Sequence, residues 1–217
     1  MDKIRKYILW GSAGHAKVLA EIISSAGGAV IALFDNQKVK PALDGVPLYL
    51  GTAGFRGWAQ SRDDLKDVAG LVSIGGPNGN DRLEIQTLFN ESGIATPTLV
   101  HPAAVISNTA TLDSGTQVLA MANIAAEVRV GKACIINHRA SIDHVSTLGN
   151  GVHIAPGATL CGCVHLANNV FIGAGAIILP RLSIGENSII GAGAVVTKNI
   201  PAGSTVVGNP AKLINQK

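Results

Sequence analysis

The sequence predicts two dissimilar parts, an α/β domain with a small parallel sheet over residues 1–100 and a three-sided column of short parallel strands over residues 101–217. Three observations predict this. Every sixth residue from Ile106 to Val196 is Ile, Leu or Val, sixteen positions without interruption. The first hundred residues alternate short apolar runs with helical spacing, and glycines stand at the ends of the apolar runs. The 217 residues are 47% hydrophobic yet only 4% aromatic and 14% charged, with 26 glycines. That aliphatic, finely punctuated composition is an odd recipe for a compact globular core.

In the first part, Lys6 to Trp10 reads as a strand, followed by Gly11-Ser-Ala-Gly14-His15 and by Ala16 to Ile23 with helical spacing. Ala29 to Phe34 is a second strand ending in Asp35, and Val68 to Ile74 a third, ending in Gly75-Gly-Pro-Asn78. Helical spacing resumes from Asp81 to Asn90. This β-α-β order with glycines at strand ends describes a Rossmann-like domain whose loops line the carboxyl edge of a parallel sheet. A strand, a glycine turn and a helix N-terminus together offer free N–H groups to an anion. An acid about twenty residues later can accept hydrogen bonds from a sugar or base. The G-x-x-G turn lacks one glycine of the dinucleotide fingerprint, so an anion site and a simple packing turn both fit it.

In the second part, a six-residue period matches neither a helix nor a simple strand alternation. A chain that turns a corner every six residues does produce it, with one aliphatic per side pointing inward. Small residues precede the aliphatics by two positions, as at Ala104, Ala122, Cys134, Ala140, Ala158 and Ala176. The position just after each aliphatic often carries Gly, Asn or Asp, and the left-handed backbone of the corner is expected there. Three sides make an 18-residue coil, and coils stacked at 4.8 Å give roughly five layers and a column about 25 Å tall.

Composition also excludes several classes. Low charge and high aliphatic content exclude disorder, and glycine does not recur every third residue as collagen requires. From Asn150 to Pro180 no Asp, Glu, Lys or Arg occurs, but Pro156, Gly157, Gly162, Gly173 and Gly175 interrupt the run, so it is not a membrane span. The basic N-terminus reaches Gly11 and His15 before any apolar run long enough for a signal peptide, which makes a cytoplasmic protein the expectation. The net charge of +3 comes from residues 101–217, with no basic cluster or aromatic set for nucleic acid. Cys134, Cys161 and Cys163 form neither a disulfide framework nor a zinc pattern and are expected as reduced thiols.

The six-residue pattern over about Pro102 to Leu213, with the tail Val206-Val-Gly-Asn-Pro-Ala-Lys-Leu-Ile214, resembles the hexapeptide-repeat, left-handed β-helix acyltransferases. Preceded by G-x-x-G-H near the N-terminus, it resembles the NeuD/PglD-type sugar acyltransferase family. The resemblance implies a left-handed parallel β-helix, a homotrimer with active sites between subunits, and acyl-CoA bound between neighbouring columns. It further implies that the N-terminal domain holds a nucleotide-linked sugar: Ala13, Gly14 and His15 at the phosphates, Asp35 and Asn36 at the base or ribose, Gly75 at the uridine region. Leu99-Val-His101-Pro102 resembles the family's I-H-P start of the first coil and marks the domain boundary.

Acyl transfer from a thioester needs a base, an oxyanion donor and a slot for pantetheine. Histidine is the natural base at neutral pH. His144, in Ser141-Ile-Asp-His-Val145, matches the family's catalytic I-[ED]-H segment; the other reading is a surface histidine. One coil below it lies Gly162, where the absent side chain admits a thioester carbonyl and the N–H can meet its oxyanion. By resemblance His153 contacts acetyl-CoA, or else it is an outward polar residue. Ile172-Gly-Ala-Gly-Ala176 recurs as Ile190-Gly-Ala-Gly-Ala194, so Ala174 and Ala192 stack into a strip for pantetheine, or simply serve tight corners. Arg181, Lys198 and Lys212 are either CoA-phosphate partners or solvated charges. Asn137 is an acceptor-orienting group or a corner residue, His138 has no family role, and His165 reads as solvated. In close relatives an acid follows the catalytic histidine; here Val145 stands there, and Asp143, just after an inward aliphatic, is expected to point elsewhere.

The resulting expectation is an acetyl-CoA-dependent N-acetyltransferase acting on a nucleotide-linked amino sugar, a UDP-linked 4-amino-4,6-dideoxyhexose, in surface glycan biosynthesis, with no metal. The alternatives are O-acetylation of a sialic-acid-type sugar or small hydroxyl substrate, a metal enzyme in the manner of γ-class carbonic anhydrases, and a scaffold without catalysis.

Overall fold

The computed structural model describes residues 6–216; the basic residues of the extreme N-terminus that enter the signal-peptide argument lie outside them. The chain divides into two units. One holds the residues through Ile74 together with Glu84–Leu99, and the other Gly75–Leu83 with the residues from Val100 onward.

The first unit contains β1 (Lys6–Trp10), α1 (Gly14–Ser25), β2 (Ala29–Asp35), β3 (Leu48–Leu50), α2 (Gly51–Gln60) and β4 (Val68–Val72), and it takes α3 (Gly79–Glu91) from Glu84 onward. The strands lie in the order β3-β2-β1-β4, all parallel. The chain leaves β1 for β2 on one side and comes back through α2 to β4 on the other, so the loops after β1 and β4 flank a topological switch point. β3 and α2 are absent from the sequence reading. β3 is too short to show a period, and Gly51, Gly54 and Gly57 weaken the helical signal of α2. Burial of Phe55, Trp58 and Ala59 holds that helix in place. The core is aromatic: Trp10 stacks on Phe34 at 5.7 Å, Phe34 meets Phe55 edge-on at 5.3 Å, and Phe55 lies 5.3 Å from Phe89.

The second unit is the expected column. Among the described residues, sixteen two-residue strands run from Val105–Ile106 to Val195–Val196, one per hexad. Each of the first thirteen pairs in parallel with the strand 18 residues on, as in Ser141↔Thr159 and Ile142↔Leu160. Face one contains Gln117–Val118, Ile135–Ile136, His153–Ile154, Phe171–Ile172 and Ile189–Ile190. Face two runs from Val105–Ile106 to Val195–Val196 through Ser141–Ile142 and Thr159–Leu160, and face three from Thr111–Leu112 to Ser183–Ile184. The second residue of each strand points inward, and Ala122, Cys134, Ala140, Ala158, Ala176 and Ala194 complete the interior at the corners. Burial pushes the Cys134 thiol up to about 12, and all three cysteines are free.

The corner geometry corrects one expectation. The left-handed residue is the third after the inward aliphatic, not the first: Met121, Glu127, Arg139, Val145, Cys163 and Asn169 all have φ between 54° and 60°. The first residue still belongs to the ladder, as Asp143 N donates to Leu160 O at 2.9 Å, and the chain turns only afterwards. Ser204–Val207 adds to face one beside Ile189–Ile190, and Lys212–Gln216 folds back antiparallel on it. Among the described residues no helix is long and apolar enough to cross a membrane; the uncharged run from Asn150 to Pro180 forms column strands and corners.

Candidate functional site

The glycines of the turn after β1 have different causes. Gly11 has φ +105°, and a Cβ there would stand 2.7 Å from Ser73 O, so backbone and packing both demand glycine. Ser73 locks this crossing by donating from Oγ to Gly11 O at 2.6 Å and to Trp10 O at 3.0 Å. Gly14 has neither reason: a Cβ on it would meet nothing within 4 Å. It opens α1 after Ala13, with no side-chain cap and no acid in the first turn. The first turn of the helix therefore supplies no acidic side chain of its own to the positive end. Ala13 and Gly14 are exposed and His15 is half-buried.

Asp35, at the end of β2, faces the same turn. Its Oδ2 accepts from Ser12 N at 2.8 Å and its Oδ1 from Gln37 N at 2.9 Å, while Ser12 Oγ accepts from Ala42 N at 2.9 Å. The carboxylate thus orders both loops, and each oxygen retains a further lone pair. Asn36 beside it is exposed.

On the column, the corner after Ser141–Ile142 carries His144. Its imidazole lies flat against the next coil: a Cβ on Gly162 would fall 2.5 Å from Nε2 and 2.6 Å from Cε1. Only glycine leaves the ring that place. Cys163 N donates to His144 O at 2.9 Å and Arg181 N to Gly162 O at 3.0 Å, while Gly162 N has no partner among the described residues. The His144 side chain is 55% exposed. Asp143 does not point elsewhere. Its Oδ1 accepts from His144 N at 2.7 Å and its Oδ2 lies 3.9 Å from Nε2. Val145 takes the left-handed place with φ 58° and is 44% exposed, a rare conformation for a β-branched residue.

Asn137 stands at a different corner, after face one, and within one chain it serves other histidines. Its Oδ1 accepts from His138 N at 2.8 Å and lies 3.0 Å from His138 Nδ1; its Nδ2 lies 3.2 Å from His153 Nε2. His153 is only 6% exposed, with Nδ1 3.3 Å from Gly76 O and its ring edge-on to Phe171 at 5.2 Å. Gly75 counts with the column unit, beside the His153 ring. Ala174 and Ala192 are exposed and stacked on this corner, with Gly193 N donating to Ala174 O at 2.8 Å. The site residues of the column therefore gather at two corners, His144 with Gly162 and Asn137 with His153. Among the described residues no three His, Cys, Asp or Glu side chains could hold a metal together.

Residues 6–85 match the PglD N-terminal domain, and residues 163–198 the bacterial transferase hexapeptide. The acetyltransferase domain of PglB from Neisseria gonorrhoeae is 31% identical with a TM-score of 0.86, over 97% of this chain and 100% of that one. The chain belongs to the NeuD/PglD-type sugar acyltransferase family. Another solved relative, PerB from Caulobacter crescentus in complex with CoA and GDP-perosamine, is 30% identical with a TM-score of 0.87, over 98% of this chain and 99% of that one. The UDP-N-acetylbacillosamine N-acetyltransferase of Bacillus subtilis is 33% identical over 110 residues, 51% of this chain and 49% of that protein. The chain thus covers about half the length of that curated relative.

One residue of this family member escaped the sequence reading. Arg82 is fully buried and donates from Nε to Ala133 O at 2.9 Å, from Nη2 to Gly151 O at 2.6 Å and from Nη1 to Gly76 O at 3.4 Å. Gly79 N adds a bond to Asn169 Oδ1 at 2.7 Å. Together they fasten residues 75–83 to the corners after face three. Burial pushes the guanidinium down to about 10, so it stays charged at neutral pH and carbonyl oxygens meet that charge. Ala133 O and Gly151 O belong to corners, and no sequence pattern marks which corner a distant arginine reaches.

Proposed function

We propose that the chain is an acetyl-CoA-dependent N-acetyltransferase whose acceptor is a nucleotide-linked amino sugar, of the UDP-4-amino-4,6-dideoxyhexose class, in surface glycan biosynthesis. The observation that carries this reading is the imidazole of His144 laid against Gly162 with the Gly162 N–H unpaired. In the reaction the neutral amine attacks the thioester carbonyl and His144 takes its proton. The tetrahedral oxyanion meets the Gly162 N–H, and the C–S bond breaks to release CoA thiolate, which is protonated in turn. No step requires a metal. The solved relative bound to CoA and GDP-perosamine supports both substrates.

The first unit holds the acceptor. The start of α1 at Ala13 and Gly14, with no side-chain cap on Ala13 and no acid in its first turn, suits the phosphates, and His15 stands beside them. The second lone pairs of Asp35, with Asn36, suit a ribose or base. Residues 1–100 would then be the nucleotide-sugar domain and 101–217 the catalytic one, with Gly75 and Asn137 on the acceptor and His153, Ala174 and Ala192 on the acyl donor.

A homotrimer completes the site. One column keeps His144 at one corner and His153, Ala174 and Ala192 at another. Face two between them presents Val105, Asn123, Ser141, Thr159, Ile177 and Val195 outward, none of them charged, with Val105 65% exposed. A second copy on this face would bring its own corner to the first copy's His144. A cytoplasmic location fits this pair of substrates.

The test is H144A beside the unmutated protein, assayed by CoA release against UDP-, GDP- and dTDP-linked 4-amino sugars and against hydroxyl acceptors. The expected loss in kcat is about 10²–10⁴-fold with little change in the KM for acetyl-CoA. Unchanged turnover would sink the mechanism, and preference for a hydroxyl acceptor would move the enzyme to O-acetylation.

A further inference from the structure

Hydrogen bonds fix the tautomers of two column histidines. A backbone N–H can only donate, so the Asn137 atom 2.8 Å from His138 N is the oxygen, and the other end of that amide is the NH₂. This NH₂ faces His153 Nε2 at 3.2 Å, which must therefore be a lone pair. The proton of His153 sits on Nδ1, 3.3 Å from the Gly76 carbonyl that accepts it. By the same logic His138 Nδ1, 3.0 Å from Asn137 Oδ1, carries a proton. The chain runs in one direction: His138 donates to Asn137, Asn137 to His153, and His153 to Gly76 O, which also accepts from the buried Arg82. Bonds aligned this way polarise one another.

The head of this chain is the Nε2 lone pair of His138, a half-buried side chain. Nothing among the described residues donates to it. His138 lies on the same corner ladder as Pro156, Ala174 and Ala192, at 18-residue steps, and it is the one polar side chain of those four. We propose that His138 Nε2 is a binding group for the acyl donor, accepting a hydrogen bond from an amide N–H of its pantetheine arm. This rests on the acyl-donor reading above and adds to it a residue with no assigned role.

The two ends of the imidazole can be tested separately. H138N keeps a donor near Asn137 and deletes the distal acceptor, whereas H138Q offers a distal carbonyl and deletes the proximal donor. Acetyl-CoA affinity is measured by calorimetry, with thermal unfolding as the check on folding. The expected result is about fivefold weaker binding by H138N, the size of one neutral hydrogen bond, and binding within about twofold of the unmutated protein by H138Q. Equal weakening in both variants, or weakening in H138Q alone, would show an internal structural role and overturn the proposal. Unweakened binding by H138N overturns it as well and leaves the acyl-donor reading intact. Failure of the unmutated protein to bind acetyl-CoA would overturn both.

Discussion

The two units fill their cores with different materials. In the α/β unit Trp10, Phe34, Phe55, Trp58 and Phe89 meet in one cluster to which β1, β2, α2 and α3 all contribute. In the column each side supplies one aliphatic, and each layer rests on the layers next to it. A cluster is a many-body contact, so damage to one ring reaches every element around it. A ladder is close to one-dimensional, so damage stays near the altered layer. Truncating one residue of each kind tests this difference in the molecule. F34A is expected to cost about 3–5 kcal/mol and I154A about 2–5 kcal/mol. Amide hydrogen exchange is the discriminating measurement. F34A should lower protection across the whole parallel sheet, whereas I154A should lower it in the coils of Ile136 and Ile172 and spare the ends of the column. A uniform loss along the column in I154A would refute the one-dimensional picture.

The same difference governs what could be read from the sequence. The column's strands, their number and the 18-residue register followed from one repeated aliphatic, because nearest-neighbour stacking imposes the same demand on every layer. The placement of Gly162 beside His144 followed from that register too. The left-handed position did not, since Glu127, Arg139 and Val145 occupy it as readily as Asn169, and composition alone pointed to the wrong residue of the corner. In the α/β unit β1, α1 and β2 were legible as apolar runs with glycine stops. α2 was not, because its three glycines argue against a helix that Phe55 and Trp58 secure only by tertiary burial. The bonds of Arg82 to Ala133 and Gly151, and of His153 to Gly76, were illegible, since they join residues about fifty or more positions apart and depend on which carbonyls a loop or corner turns outward.

The two units also differ in what makes their glycines necessary. Gly162 is glycine because an imidazole occupies the place of its Cβ, whereas Gly14 faces open space. G162A should therefore push His144 aside and lower kcat about 10–100-fold, since a displacement near 1 Å is enough for that loss. The melting temperature should hardly move, because a half-exposed side chain can yield. G14A should fold as well as the unmutated protein and, under the proposed approach of phosphate to the start of α1, raise the acceptor KM about tenfold. Steady-state kinetics against both substrates separates them. G162A acting on acceptor KM alone, or G14A acting on kcat alone, would reverse the assignment of the two regions.

The smallest effect concerns Asp143, the carboxylate beside the proposed base. Its Oδ1 is held by the His144 amide, which aims Oδ2 at the ring from 3.9 Å. In the proposed reaction, where His144 takes the proton from the amine, the imidazolium so formed faces this carboxylate at 3.9 Å. Both side chains are more than half exposed, so water weakens the attraction and salt screens it further. D143N should accordingly lower kcat by about 2–5-fold at low ionic strength and by less at high salt, as expected of an exposed pair. The salt dependence is the informative readout, because loss of the amide-to-carboxylate bond alone would be nearly insensitive to it. V145E offers the complementary change, placing an acid at the left-handed corner next to the base. If Asp143 already supplies the needed charge, V145E should raise kcat little in the unmutated background and restore part of the loss in D143N. A large gain from V145E alone would mean that Asp143 does not act on the ring at all.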